Sequence, residues 1–194
     1  MKKEYLTCLL AAALLAGCGS AAGISEGSEA TAQASAEPTE VIVESANGYG
    51  EGNETDTIRT SFFDFIVNSS SLVDSYEDIT PSEGKTLLVV NITVTSSREE
   101  DATMYDSDFQ IQWGGTGDED FAVPVTYESD LASDTMFETE YTLPGQGTIT
   151  KNAVYEVPSD MSEYVLMFRE YFADESLGDI FTVHLKPADE RSAS

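Results

Sequence analysis

Lys85-Thr86-Leu87-Leu88-Val89-Val90-Asn91-Ile92-Thr93-Val94-Thr95 is the stretch on which the fold turns. Leu88, Val90, Ile92 and Val94 alternate with Val89, Asn91, Thr93 and Thr95, a period of two that belongs to a strand with one face buried. Ser96-Ser97-Arg98-Glu99-Glu100-Asp101 then ends the run as a solvated turn.

The neighbouring runs obey the same rule, being short, rich in Val, Ile, Phe, Thr and Tyr, and divided by Gly, Pro, Asp and Ser clusters. Thr60 to Val67 sets Phe63, Phe65 and Val67 against Phe62, Asp64 and Ile66. Asp106 to Trp113 turns Phe109, Ile111 and Trp113 inward, and Phe121 to Thr126, which holds Pro124, belongs at an edge or bulge. After the turn at Leu143-Pro144-Gly145, Thr148 to Val157 places Ile149, Ala153, Tyr155 and Val157 on one face. Tyr164 to Phe172 is apolar on both faces and reads as a central strand, and Gly178 to Lys186 points Phe181, Val183 and Leu185 inward. Residues 128–140 read as either a long loop or a short helix. Seven or eight short strands with no sustained helical period predict an all-β, two-layer antiparallel sandwich over residues 58–187, with a disordered tail at 188–194.

The other end of the chain reads differently. Lys2 and Lys3 precede an apolar run from Leu6 to Leu15, which is shorter than the ~20 residues a bilayer requires. Leu15-Ala16-Gly17-Cys18 follows and resembles the lipobox of bacterial lipoproteins. The resemblance implies a signal peptide at residues 1–17 and a diacylglyceryl group on Cys18 as the lipid attachment, holding the protein on the outer face of a cell membrane. Two acyl chains give stable attachment where one does not. Cys8 lies inside the expected leader, so no disulfide, thiol metal site or cysteine nucleophile remains.

Gly19 to Thr57 is Ala, Ser, Gly, Thr and Glu, with eight acidic residues and no basic one. A segment so poor in apolar surface does not offset its own ordering entropy, and residues 18–57 therefore read as the lipidated cysteine and a disordered acidic tether. Val41-Ile42-Val43 is the exception, an apolar triplet read as a sticky spot that could pair transiently with a sheet edge. Without Lys2, Lys3 and Glu4 the chain keeps 7 basic and 35 acidic residues. Such a field repels phosphate backbones and anionic lipid alike, so nucleic acid is not an expected partner and membrane contact falls to the lipid.

Gly84-Lys85-Thr86-Leu87-Leu88-Val89-Val90-Asn91-Ile92-Thr93-Val94 resembles the opening strand of the telokin-like, immunoglobulin-fold domains of unknown function found in lipoproteins of Gram-positive bacteria. Leu143-Pro144-Gly145 followed by Val154-Tyr155-Glu156-Val157-Pro158 is similar to a later turn and strand of that family. The resemblance implies an immunoglobulin-like sandwich outside the cytoplasm and brings no catalytic residue.

Chemistry-bearing candidates are few. His184 is the single histidine and faces away from Phe181, Val183 and Leu185, which suits a surface or rim position. The chain has no nucleophile elbow for a Ser-His-Asp arrangement. Asp106 and Asp108 fall on one face of the expected strand, and Asp118, Glu119 and Asp120 follow Gly114-Gly115-Thr116-Gly117. These five are candidate calcium ligands, since hard oxygen donors beside a flexible turn suit that ion, although a solvated acidic rim explains them as well. The glycine loop lacks the lysine and helix of a phosphate cradle. Tyr164, Phe168, Tyr171 and Phe172 read as core, with any left exposed forming a patch for a protein or sugar. Asn53-Glu54-Thr55, Asn68-Ser69-Ser70 and Asn91-Ile92-Thr93 are chance sequons.

The expectation is a non-enzymatic, membrane-anchored binding or interaction module with an unknown protein or cell-envelope partner and no cofactor. The alternative is a calcium-dependent carbohydrate-active or acidic hydrolytic surface protein.

Overall fold

The structure, a computed structural model, describes residues 40–192 apart from 115–119, 128, 130 and 132. In chain order its strands are β1 (Ile42–Val43), β2 (Tyr49–Asn53), β3 (Thr57–Arg59), β4 (Phe63–Val73), β5 (Lys85–Ser96), β6 (Ala102–Tyr105) and β7 (Phe109–Trp113). They continue as β8 (Phe121–Ala122), β9 (Glu140–Leu143), β10 (Thr148–Pro158), β11 (Tyr164–Tyr171), β12 (Leu177–Leu185) and β13 (Ala188–Asp189). One sheet is ordered β1-β3-β4-β5-β10, with β13 also on β4, and the second is ordered β2-β12-β11-β7-β8. A ribbon of β6 and β9 lies outside both. Among the described residues the only helical turn is the 3-10 turn Asp106–Asp108.

The period of two selects the inner faces. Phe63, Phe65 and Val67 of β4, Leu88, Val90, Ile92 and Val94 of β5, and Ala153, Tyr155 and Val157 of β10 are buried from one sheet. Phe109, Ile111 and Trp113 of β7, Tyr164, Leu166 and Phe168 of β11, and Phe181, Val183 and Leu185 of β12 join them from the other in a single cluster. At its centre Phe63 meets Phe168 at 5.0 Å and Phe65 meets Phe109 at 5.3 Å, both edge to face. Each such pair contributes about 0.5–1.5 kcal/mol beyond its buried area. β11 lies between β7 and β12, the central position its composition predicted.

Several expectations need correction. The folded region does not begin at 58. Ile42 and Val43 pair in parallel with Thr57 and Ile58, and Tyr49 to Asn53 pair with Ile180 to His184 along β12. Strand β2 succeeds without large side chains because Gly50 lets its backbone lie on the Phe181 ring, where a Cβ would come within 2.7 Å of Cδ1. A glycine-rich acidic stretch thus reads locally as tether, yet sheet pairing supplies the hydrogen bonds that order it. Likewise Ala188 and Asp189, expected in a disordered tail, pair with Ser71 and Leu72.

Strand β5 is also buried on its second face over its first half. Leu87 and Val89 pack with Met136 and Val154 beneath Tyr76, Ile79 and Val125, so the described parts of residues 128–140 form a covering loop and then β9. Farther along, that face is polar: Asn68 Nδ2 donates to Asn91 Oδ1 at 2.8 Å, and Asn91 Nδ2 donates to Asn152 Oδ1 at 2.7 Å. Asn68 and Asn91, each opening a chance sequon, therefore serve in cross-strand amide pairs.

Candidate functional site

A cleft of about 500 Å³ opens at one end of the sandwich, lined by Phe62, Met104, Tyr105, Leu143, Phe168, Tyr171 and Phe172, with Arg98, Arg169 and Asp108 among its polar groups. Its walls come from the start of β4, the turn after β5, the β6–β9 ribbon and the end of β11. Exposed apolar groups cost solvation free energy, and here Phe172 stays 38% exposed and Tyr171 66% exposed. Volume and mostly apolar lining fall in the range of small-molecule sites, about 300–1,000 Å³.

The exposed aromatic wall is in contact on two sides. Phe172 packs against Phe62 with centroids 5.3 Å apart and the rings tilted by 58°. Behind it, Gly178 leaves room that a Cβ would take, 2.6 Å from Phe172 Cε2 and 2.7 Å from Glu170 Cβ. The β11–β12 register shifts between Arg169 and Tyr171, a bulge that re-aims the end of the strand. Glu170, 2% exposed, accepts hydrogen bonds from the N–H of Ser61 at 2.7 Å and of Asp179 at 3.2 Å. Its carboxylate therefore ties the Phe62 segment to β12 across the end of the core.

Next to the cleft lies a buried acidic group. Asp106, 1% exposed, accepts from Thr126 Oγ1 at 2.5 Å, while its Oδ1 and the hydroxyl of Tyr141 have no hydrogen-bond partner among the described residues. Burial pushes the Asp106 carboxyl above its ordinary value, against the bond from Thr126, and burial raises Asp108 as well. The phenols of Tyr155 and Tyr141 are raised by burial and by the neighbouring carboxylates.

Of the described calcium candidates, Asp106 and Asp108 lie apart from Asp120. Asp106 and Asp108 sit in a 3-10 turn rather than on one strand face, Asp106 buried and Asp108 half-buried with Oδ2 accepting from the Tyr105 N–H at 3.0 Å. Asp120 lies at the opposite end of β7, where its carbonyl accepts from the Trp113 N–H at 3.1 Å. Phe109 to Trp113 spans ~13 Å at the usual strand rise, too far for a shared ion. Asp118 and Glu119 lie outside the described residues, as do Cys18 and the loop from 115 to 117. Among the described residues no three His, Cys, Asp or Glu side chains are grouped to hold a metal.

His184 is exposed on the outer face of β12, with Nε2 2.6 Å from Glu51 Oε1. It borders a shallower polar depression of about 800 Å³ with Tyr49, Gln112, Thr182 and Lys186. Of the four late aromatics, Tyr164 and Phe168 are core and Tyr171 and Phe172 form the cleft wall. Sequence reading had no signal for Met104, Tyr105 and Leu143, which belong to the unforeseen ribbon. Arg98 and Arg169 carried one: in so acidic a chain each basic residue invites the question of its partner.

Residues 53–179 match a family described as a domain of unknown function, DUF4352. The fold is similar to that of the yjhA protein from Bacillus subtilis, at 16% identity over 70% of this chain and 99% of that one, with a TM-score of 0.50. A candidate lipoprotein from Staphylococcus aureus is 15% identical over 73% of this chain and 97% of its own, with a TM-score of 0.49. For the candidate lipoprotein ycdA of Bacillus subtilis the identity is 16% and the TM-score 0.49, over 71% of this chain but only 40% of that longer protein. No curated protein matches the chain.

Proposed function

Because this chain belongs to the DUF4352 family, a domain of unknown function, we propose its role from the cleft: it is a membrane-anchored, extracytoplasmic binding module, without catalytic activity, that takes an apolar ligand between Phe62, Tyr105 and Phe172. The observation that carries this reading is the exposure of Phe172 beside the cleft, seated on Gly178 and packed at a tilt against Phe62. A side chain needed only for stability would be turned inward, whereas a preorganised apolar wall lowers the ordering cost of binding. Anchoring rests on the basic start, the short apolar run and Leu15-Ala16-Gly17-Cys18.

Nile red, a neutral dye that brightens in apolar sites, tests the cleft. The full chain should enhance its emission, and Phe172→Ser should abolish the effect. Tyr171→Ser, at a side chain mostly in solvent, gives a second reading should the first variant fold poorly. Emission unchanged in both variants would overturn the assignment.

A further inference from the structure

We propose that the cleft selects an amphiphilic anion, a small ligand with an apolar body and one carboxylate head, held by Arg98 and Arg169. This deepens the binding reading above and rests on it. The chain has 36 acidic and 9 basic residues, so a basic side chain finds a carboxylate easily. Arg59 reaches Asp64 at 3.2 Å and Glu44 at 3.4 Å, and Arg191 reaches Asp189 at 2.8 Å. Lys151 donates to the Asp134 carbonyl, and Lys85 lies over the Trp113 ring. Arg98 and Arg169 make no ion pair within 4 Å among the described residues, and both line this one cleft. Lys186, also without an ion pair there, belongs to the polar depression on the second sheet.

The two arginines reach the cleft from separate elements. Arg98 follows β5, and its backbone is fixed on both sides: its N–H donates to Ser96 Oγ at 3.2 Å and its carbonyl accepts from the Gln146 N–H at 2.7 Å. Arg169 stands on β11 at the bulge that re-aims Tyr171. Asp108 is the one acidic residue on the lining, and it already accepts from the Tyr105 N–H. Two arginines and one aspartate therefore border the cleft, against 9 basic and 36 acidic residues in the whole chain. A guanidinium is weakly hydrated and presents paired donors that match a carboxylate, so an anionic head gains here what the rest of the surface denies it. The apolar floor accommodates the ligand's body, and the cleft's volume limits it to a small molecule.

The test is displacement of Nile red from the full chain by dodecanoate, by dodecanol as its neutral counterpart, and by dodecyltrimethylammonium as its cationic one. Dodecanoate should displace the dye at a concentration roughly tenfold below dodecanol, the factor expected of a charge-assisted contact. The double variant Arg98→Gln/Arg169→Gln should erase that preference, bringing the displacing concentrations of dodecanoate and dodecanol together. Equal displacement by the acid and the alcohol, or a preference that survives the double variant, would overturn the anion assignment and leave the apolar cleft standing. A preference for the cationic amphiphile would overturn it too, by making Asp108 the dominant charge. Failure of the cleft itself shows separately, as Nile red emission indifferent to Phe172→Ser.

Discussion

The hydroxyl of Tyr155, on β10 of one sheet, donates to the carbonyl oxygen of Phe109, on β7 of the other, at 3.0 Å in the middle of the core. Tyr155 is fully buried, so this bond joins the two layers where water cannot substitute. Tyr155→Phe keeps the ring and removes only the bond, at a cost of about 1–2 kcal/mol. The Tm should fall by roughly 2–8 °C, read by calorimetry. A Tm equal to that of the wild type would mean that the bond contributes nothing.

Gly178 is the seat of the exposed ring, and Gly178→Ala puts a methyl group 2.6 Å from Phe172 Cε2. Phe172 must leave Phe62, losing an aromatic contact of about 1 kcal/mol, and Nile red affinity should drop ~5-fold. Retention of full affinity would show that the cleft tolerates a displaced wall.

The corrected domain boundary has a direct consequence. A chain starting at residue 38 should melt as the full chain does, because β1 and β2 are intact. One starting at 58 lacks β2, bares the edge of β12 and uncovers Phe181, so it should be markedly less stable and prone to association. Equal melting of the two would return residues 40–57 to the role of tether.

Asp106 makes stability depend on pH in an identifiable direction. Its native carboxyl is raised by burial, so between about 4, the unfolded value, and the raised native value the folded state binds the proton more strongly. That contribution to stability is present at low pH and is lost as pH rises through the window. Asp106→Asn has no such loss, so its Tm advantage over the wild type should be largest near neutrality and shrink on acidification. A difference that is constant with pH, or that widens as pH falls, would contradict this.

Cys18→Ala removes the expected lipid acceptor. In a host that processes lipoproteins, labelled palmitate should mark the wild type and not the variant, and the variant should keep its leader and lose stable membrane attachment. Label retained by the variant would place the lipid elsewhere.

The inner faces of the sandwich were legible in Leu88, Val90, Ile92 and Val94, and equally in Phe109, Ile111, Trp113, Phe181, Val183 and Leu185. Alternation is a property of successive Cβ atoms, so one strand's own residues declare which side is buried. Residues 49–53 were misread because Gly50 and Gly52 have no apolar side chain to report, and their order comes from β12, more than a hundred residues away. The Asp106–Asp108 pair was misread for a related reason: a 3-10 turn replaces the alternation that would have set both on one face.

By itself the sequence determined the all-β class, the faces of the long strands and the N-terminal pattern for anchoring, since each is written in neighbours or near neighbours along the chain. The tertiary structure alone decided the cleft, which joins Phe62, Arg98, Tyr105, Arg169 and Phe172. Those side chains meet only because of the order in which strands pair and the way Glu170 and Gly178 close the sandwich end. Strand order is set by the packing free energy of the whole chain, and no local period records it.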